Sequence, residues 1–330
     1  MCKITKYRYF DIKDLHLHAS DRMSYDPSEL SLAIFDNNLS KARILLTGSQ
    51  NKKKVNVDGT RGDETTPLWV AVIWGRVDSV RLLLEFGADV NVKDTRKGCH
   101  KNSLLHEAVR SGVKPVIRVI VNRMREIDGN VYEVSPQTGF TALEEAIIKE
   151  HWDVVECLIQ NGVNDVSRPV TKEKSTLLHG VVYDQKPDNV ERLLEYGADT
   201  SCQDINGSTP LLIATQKTVE STEVLQTAMK IIKLLVPYEN SVSIPDKGRT
   251  PLHCAAKNKG RIPLHCAVKN DCPGMVWTLI QNGADLNAVN RVGKTPNPSS
   301  RGIYKKEVND MLEAEPLRRM KMFKEDEISS

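Results

Sequence analysis

The stretch Thr66-Pro67-Leu68-Trp69-Val70-Ala71 and the residues after it, as far as Asn91, form a unit that cannot fold alone. A Thr before a Pro starts a helix well: the hydroxyl accepts an orphan backbone N–H, and Pro at the first helical position gives up nothing and presets φ. Leu68, Val70, Ala71 and Val72 then form a short apolar face, and Gly75 ends it. Val80, Leu82, Leu83 and Leu84 make a second helix, with Gly87 where a left-handed cap is wanted. Helices this short are marginal in water, so the pair must bury its apolar face against copies of itself.

The copies are present. Ser28-Glu29-Leu30-Ser31-Leu32-Ala33 matches position for position, and further starts fall at Ser103, Thr141, Thr176, Thr209, Thr250 and Ile262, with a remnant at Thr295-Pro296. Successive starts are 38, 37, 38, 35, 33, 41, 12 and 33 residues apart, which gives a base period near 33 with insertions in loops. Only 5% of the chain is aromatic while 40% is hydrophobic, so the stack must be built from Leu, Val, Ile and Ala.

A period near 33 with Thr-Pro-Leu-His-x-Ala, as in Thr250-Pro251-Leu252-His253-Cys254-Ala255, resembles the ankyrin-repeat family from about Ser28 to Asn297. The second half of the motif recurs too, at Leu83–Asn91, Leu193–Asp199 and Leu279–Asn287. The resemblance implies an all-α ankyrin-repeat solenoid of stacked antiparallel helix pairs with projecting β-hairpin-like loops. The chain then divides into an N-terminal cap or tail (1–26), an array of about eight repeats (27–297) with one truncated near 248–260, and a C-terminal cap helix or tail (298–330).

Three departures from the period stand out. The Ser103 unit has a stretched exit, Arg123 to Gln137, with a turn signal at Asp128-Gly129-Asn130. In the Thr209 unit the paired leucines come late, so roughly an extra helical turn or more separates its helices. The tandem at Thr250 and Ile262 places one first helix directly after another. The Ile262 copy leads into Met275 to Ile280 and is expected to stack in register, leaving the Thr250 copy as an extra short helix.

Chemistry is mostly absent. There is no P-loop, no G-x-G-x-x-G after a strand and no G-x-S-x-G elbow, and neither His253-Cys254 nor His265-Cys266 has zinc spacing. The expectation is a protein that is not an enzyme and needs no cofactor or metal. His106, His179, His253 and His265 have a structural task in their motif, hydrogen-bonding within the repeat. A net charge of +3 is too balanced for nucleic acid, no apolar run is long enough to span a membrane, and seven cysteines in a long chain read as free thiols. These point to a monomer in the cytosol, with the nucleus open.

Repeat logic also marks a surface. The residues ending each first helix, and the residue before each Thr, are expected to face the concave groove without stacking duty. These positions, which also include Ile73, Arg110, Lys149 and Lys217, run in sequence from aromatic (Phe35, Trp74, Phe140, Tyr183) to basic (Arg249, Arg261, Lys269, Lys294). Aromatics and Arg tend to anchor interfaces, so the expected ligand is a partner protein, with an acidic segment suited to the basic end. The competing reading is that Trp74 and Phe140 simply pack across adjacent repeats. The resemblance further implies asparagine hydroxylation at Asn91 and Asn287, each eight residues after a Leu. The functional expectation is a protein–protein interaction scaffold. A substrate-recruiting subunit of a ubiquitin ligase or similar complex is the alternative.

Overall fold

A computed structural model of the chain describes residues 28–48, 55–59, 66–93, 102–216, 222–241, 263–282, 284–287, 289, 293–296 and 306–313. The chain divides between Asp165 and Val166 into two compact units.

In the first unit, α1 (Glu29–Phe35), α3 (Pro67–Ile73), α5 (Leu104–Ser111) and α7 (Ala142–Ile148) are the first helices of their pairs. Their partners are α2 (Leu39–Thr47), α4 (Val77–Glu85), α6 (Lys114–Glu126) and α8 (Trp152–Gln160). Each first helix packs on its own partner and on the first helix of the next pair, and the second helices stack in the same order.

The starts follow from the motif. Thr66 Oγ1 accepts from Trp69 N at 3.2 Å, and Thr141 and Glu144 satisfy each other's backbone N–H groups in a capping box. Leu30, Leu68, Leu105 and Leu143, one per repeat, are all buried. Ala33, Ala71, Ala108 and Ala146, three positions on, are buried as well, and their small side chains let neighbouring first helices approach closely.

The turn inside each pair needs a left-handed residue. Glycine supplies it at Gly75 and Gly112, but Asn37 and Glu150 take the same conformation with side chains, at φ 55° and 59°. The stretched exit of the Ser103 unit is partly helical: α6 has 13 residues against 9 in α4, and Asp128 then turns the chain at φ 52°. Between repeats, isolated antiparallel bridges join Lys93 to Ser103 and Val134 to Thr141.

The second unit repeats this plan with α9 (Leu177–Tyr183), α10 (Pro187–Glu195), α11 (Pro210–Gln216), α12 (Thr222–Ser241), α13 (Pro263–Lys269) and α14 (Pro273–Gln281). The late leucines of the Thr209 unit are explained by α12, a helix of 20 residues that buries Ile231, Ile232, Leu235 and Val236. The Ile262 copy is α13. It packs on α11 and α14, and Asn270 Nδ2 donates to Thr215 O at 3.0 Å. The Thr250 copy lies outside the described residues. A further helix, α15 (306–313), buries Val308.

Candidate protein-interaction face

In the first unit, the x position of Thr-Pro-Leu-His-x-Ala carries Leu32, Val70, Glu107 and Glu145. The residue at the end of each first helix supplies a second row: Asp36, Trp74, Ser111 and Lys149. Phe35, Ile73, Arg110 and Ile148 stand one residue before these. The helices are held rigidly by the stack, so these side chains have fixed spacing.

At one end the face is aromatic. The Phe35 and Trp74 rings meet across the first two repeats edge to face, with centroids 5.0 Å apart, and both residues are half-buried, as is Ile73. Leu32 beside them is 38% exposed. Trp74 therefore packs across adjacent repeats and still presents part of its ring.

Next comes an ionic ladder. Arg110 Nη1 donates to Glu107 Oε1 at 2.7 Å within α5, and its Nε and Nη2 donate to both carboxylate oxygens of Glu145 on α7 at 3.1 to 3.3 Å. Thr138 Oγ1 also donates to Glu145 Oε1. Burial opposes the Arg110 charge, yet the two carboxylates outweigh it and raise the guanidinium's pKa further. Lys149 differs: burial pushes its ammonium below the ordinary lysine range, Arg110 adds to that, and the pull of Glu145 and Glu107 offsets only part of it.

At four starts the residue before the Thr or Ser is buried, whereas Lys294 is exposed. Asn102, Phe140, Ser175 and Ser208 are all buried, and Phe140 is only 4% exposed. Phe140 is thus a core residue, which corrects its assignment to the groove. At Phe140 and Ser208 a histidine of the preceding repeat holds the backbone at the seam, its second ring nitrogen reaching beyond its own repeat. His106 Nε2 bonds Phe140 O and His179 Nε2 bonds Ser208 O, each at 3.0 Å, while His265 Nε2 bonds Lys294 O at 2.8 Å. Each carbonyl belongs to the next repeat, so this residue sits at the seam.

The Nδ1 atom of His179 accepts from Thr176 N, which fixes the neutral tautomer with the proton on Nε2. Burial lowers the His179 pKa in agreement. Trp69 occupies the histidine position of its repeat, and its buried Nε1 has no hydrogen-bond partner among the described residues.

In the second unit Tyr183 is half-buried, and Lys269 and Lys294 are exposed. Lys217, Arg249 and Arg261 lie outside the described residues. Asn91 and Asn287 are exposed in their loops, and their backbone N–H groups donate to Asp89 and Asp285. Leu83 and Leu279, eight residues earlier, are fully buried.

Sequence reasoning missed Glu107, Glu145 and Trp69. The two glutamates stand 38 residues apart, one repeat, so aligning the x position would have paired them with Arg110. Among the described residues no cluster of His, Cys, Asp or Glu is gathered to hold a metal, and no helix is long and apolar enough to cross a membrane.

The profile described as ankyrin repeats in three copies matches residues 11–94 and 178–262; a single ankyrin repeat matches 259–291, and a further ankyrin profile matches 68–121. The chain belongs to the ankyrin-repeat family. It is similar to the chicken nuclear factor NF-kappa-B p105 subunit, 30% identical over 190 residues that cover 56% of this chain and 18% of that one. It is also 30% identical to the human ankyrin repeat and SOCS box protein 3 over 187 residues, 47% of this chain and 35% of that protein. The match thus spans well under half the length of either relative. Among solved structures, the ankyrin repeat domain of Bcl-3 aligns with a TM-score of 0.50 and 21% identity, covering 87% of this chain and 98% of that domain. That likeness is one of fold. Ankyrin repeats are in general interaction modules rather than catalytic ones.

Proposed function

We propose that this ankyrin-repeat protein is a non-catalytic interaction scaffold that binds a partner protein through the first-helix face of residues 28–165. One observation carries the reading: the Phe35–Trp74 pair and the Arg110–Glu145 ladder stand side by side on a rigid frame whose stacking is already completed by the buried leucines and alanines. Half-buried aromatics beside ordered charges are the composition of an interface core and its rim. Exposed Lys269 and Lys294 support a second contact with an acidic segment of the partner. The protein works as a monomer in the cytosol, without nucleic acid.

Affinity purification with the full chain as bait, repeated with Trp74→Ala, tests the reading. The partner is retained by the parent chain and depleted by the variant, whose helical circular dichroism stays intact. Equal capture by both chains at equal helicity would refute the assignment of this face.

A second reading, a substrate-recruiting subunit of a ubiquitin ligase, draws on the similarity to a relative named for its SOCS box. It predicts that a ligase scaffold co-purifies and is lost when residues 299–330 are deleted. Hydroxylation of Asn91 and Asn287 is supported by their exposure in the loops. Intact-peptide mass spectrometry on protein from animal cells should find one added oxygen at each, and unmodified peptides would exclude it.

A further inference from the structure

The row Asp36, Trp74, Ser111 and Lys149 occupies equivalent positions in four successive repeats, at or just after the end of each first helix. In order it is acidic, aromatic, small and basic, so it has a polarity. Both end charges are unspent. Asp36 is exposed, and Lys149 is half-buried, and neither makes an ion pair among the described residues.

The reason Lys149 is left over is local. Glu145, whose charge attracts it, already accepts hydrogen bonds from Arg110 on both oxygens and another from Thr138. Its lone pairs are occupied, so it attracts Lys149 without contacting it. A cation partly removed from water and lacking a contact partner is where an incoming anion gains most. The small side chain of Ser111 leaves room between the aromatic and the basic end.

We propose that this row docks an extended segment of a partner protein that sets a basic side chain over Asp36, a large apolar side chain against Trp74 and Phe35, and a carboxylate on Lys149. The proposal rests on the interaction reading above and specifies the partner's chemistry and direction. Packed helices lie about 8–10 Å apart, and an extended chain advances about 3.3 Å per residue. The basic residue therefore stands roughly three residues from the apolar one, and the acidic residue roughly five or six beyond it. The row also fixes orientation, because reversing the segment sets like charges against each other at both ends.

The experiment is selection of a random displayed peptide library on the immobilised full chain, run in parallel on Lys149→Glu and Asp36→Lys. Both substitutions lie outside the core, and melting curves confirm folding. Peptides recovered by the parent chain carry the basic, apolar and acidic residues at the stated spacing. Selection on Lys149→Glu exchanges the acidic residue for a basic one while keeping the apolar residue, and Asp36→Lys exchanges the other end. A selected peptide synthesised with a dye loses about tenfold in affinity for Lys149→Glu and regains it when its own carboxylate is changed to Lys. Identical pools from all three chains, or no peptide above the bare support, overturn the docking register. If the natural partner is lost with Trp74→Ala but kept by both charge reversals, the register fails while the interaction function stands. If no partner is captured at all, the function itself fails.

Discussion

In the first unit, neighbouring repeats are tied by a charged reach, Arg110 to Glu145, as well as by an imidazole, His106 to Phe140 O. In the second, the first-helix ties of this kind are imidazole to carbonyl, His179 to Ser208 and His265 to Lys294, and the charged tie, Lys230 to Asp188, lies on exposed second helices instead. The seam position does the same work in both units. The x position and the helix ends do not, since the first unit fills them with aromatics and ion pairs and the second with Gly180, Ile213, Tyr183 and Lys269. The frame dictates the seam and leaves the face free, so the differences between the units are where function can be written.

The largest expected effect tests the charged reach. Arg110→Ala leaves Glu107 and Glu145 desolvated without a counter-charge, at a cost of about 3 kcal/mol, read as a lower urea midpoint. Arg110→Met with Glu107→Gln and Glu145→Gln recovers most of that loss if the carboxylates are its cause.

His179→Ala removes the imidazole tie at the seam of the second unit together with its packing, costing about 2 kcal/mol. It also changes the response to pH. Because burial lowers the folded pKa of His179, the unfolded chain binds the proton first as pH falls below the usual value near 6.5. The stability from this residue is therefore complete above that pH and is lost as pH falls through the depressed folded value. Urea midpoints should decline between neutral pH and pH of about 5, and less steeply in His179→Ala.

Trp74→Ala separates packing from binding on the first unit's face. Losing a half-buried ring in an edge-to-face pair costs about 1–2 kcal/mol, smaller than the Arg110 loss, whereas capture of the partner falls steeply. A melting loss with unchanged capture makes Trp74 a packing residue only.

The smallest effect concerns the turns. Gln185 adopts φ 57°, where Gly75 and Gly112 stand in the first unit. Gln185→Gly should stabilise the second unit by about 0.5 kcal/mol, measured as a raised midpoint. A loss would mean that the Gln185 side chain, which donates to Val182 O, outweighs the backbone strain.

The helix pairs were legible because their requirements are local: a hydroxyl before Pro, a Leu two residues after it, and Gly past the second helix. Periodicity then supplied the stack. The Ile262 copy was readable as a stacked first helix because it runs straight into α14. What was not legible depends on contacts between residues about one period apart. Phe140 looked like a groove residue because its hydrophobicity says nothing of the His106 proton that seeks its carbonyl 34 residues away. The ladder was hidden for the same reason, since Arg110 reads as a free cation until Glu145 is placed beside it. Trp69 gave no warning that it would leave a buried N–H unanswered.

The central claim, that a partner lies on the first-helix face of residues 28–165, is tested most directly by photo-crosslinking. A photoreactive amino acid is placed at Ser111, in the middle of that face, or at exposed Glu156 on the second helix α8, in otherwise unaltered full-length protein bound to its captured partner. A crosslinked partner band is expected from Ser111 and none from Glu156. Crosslinks from Glu156 with none from Ser111 would contradict it.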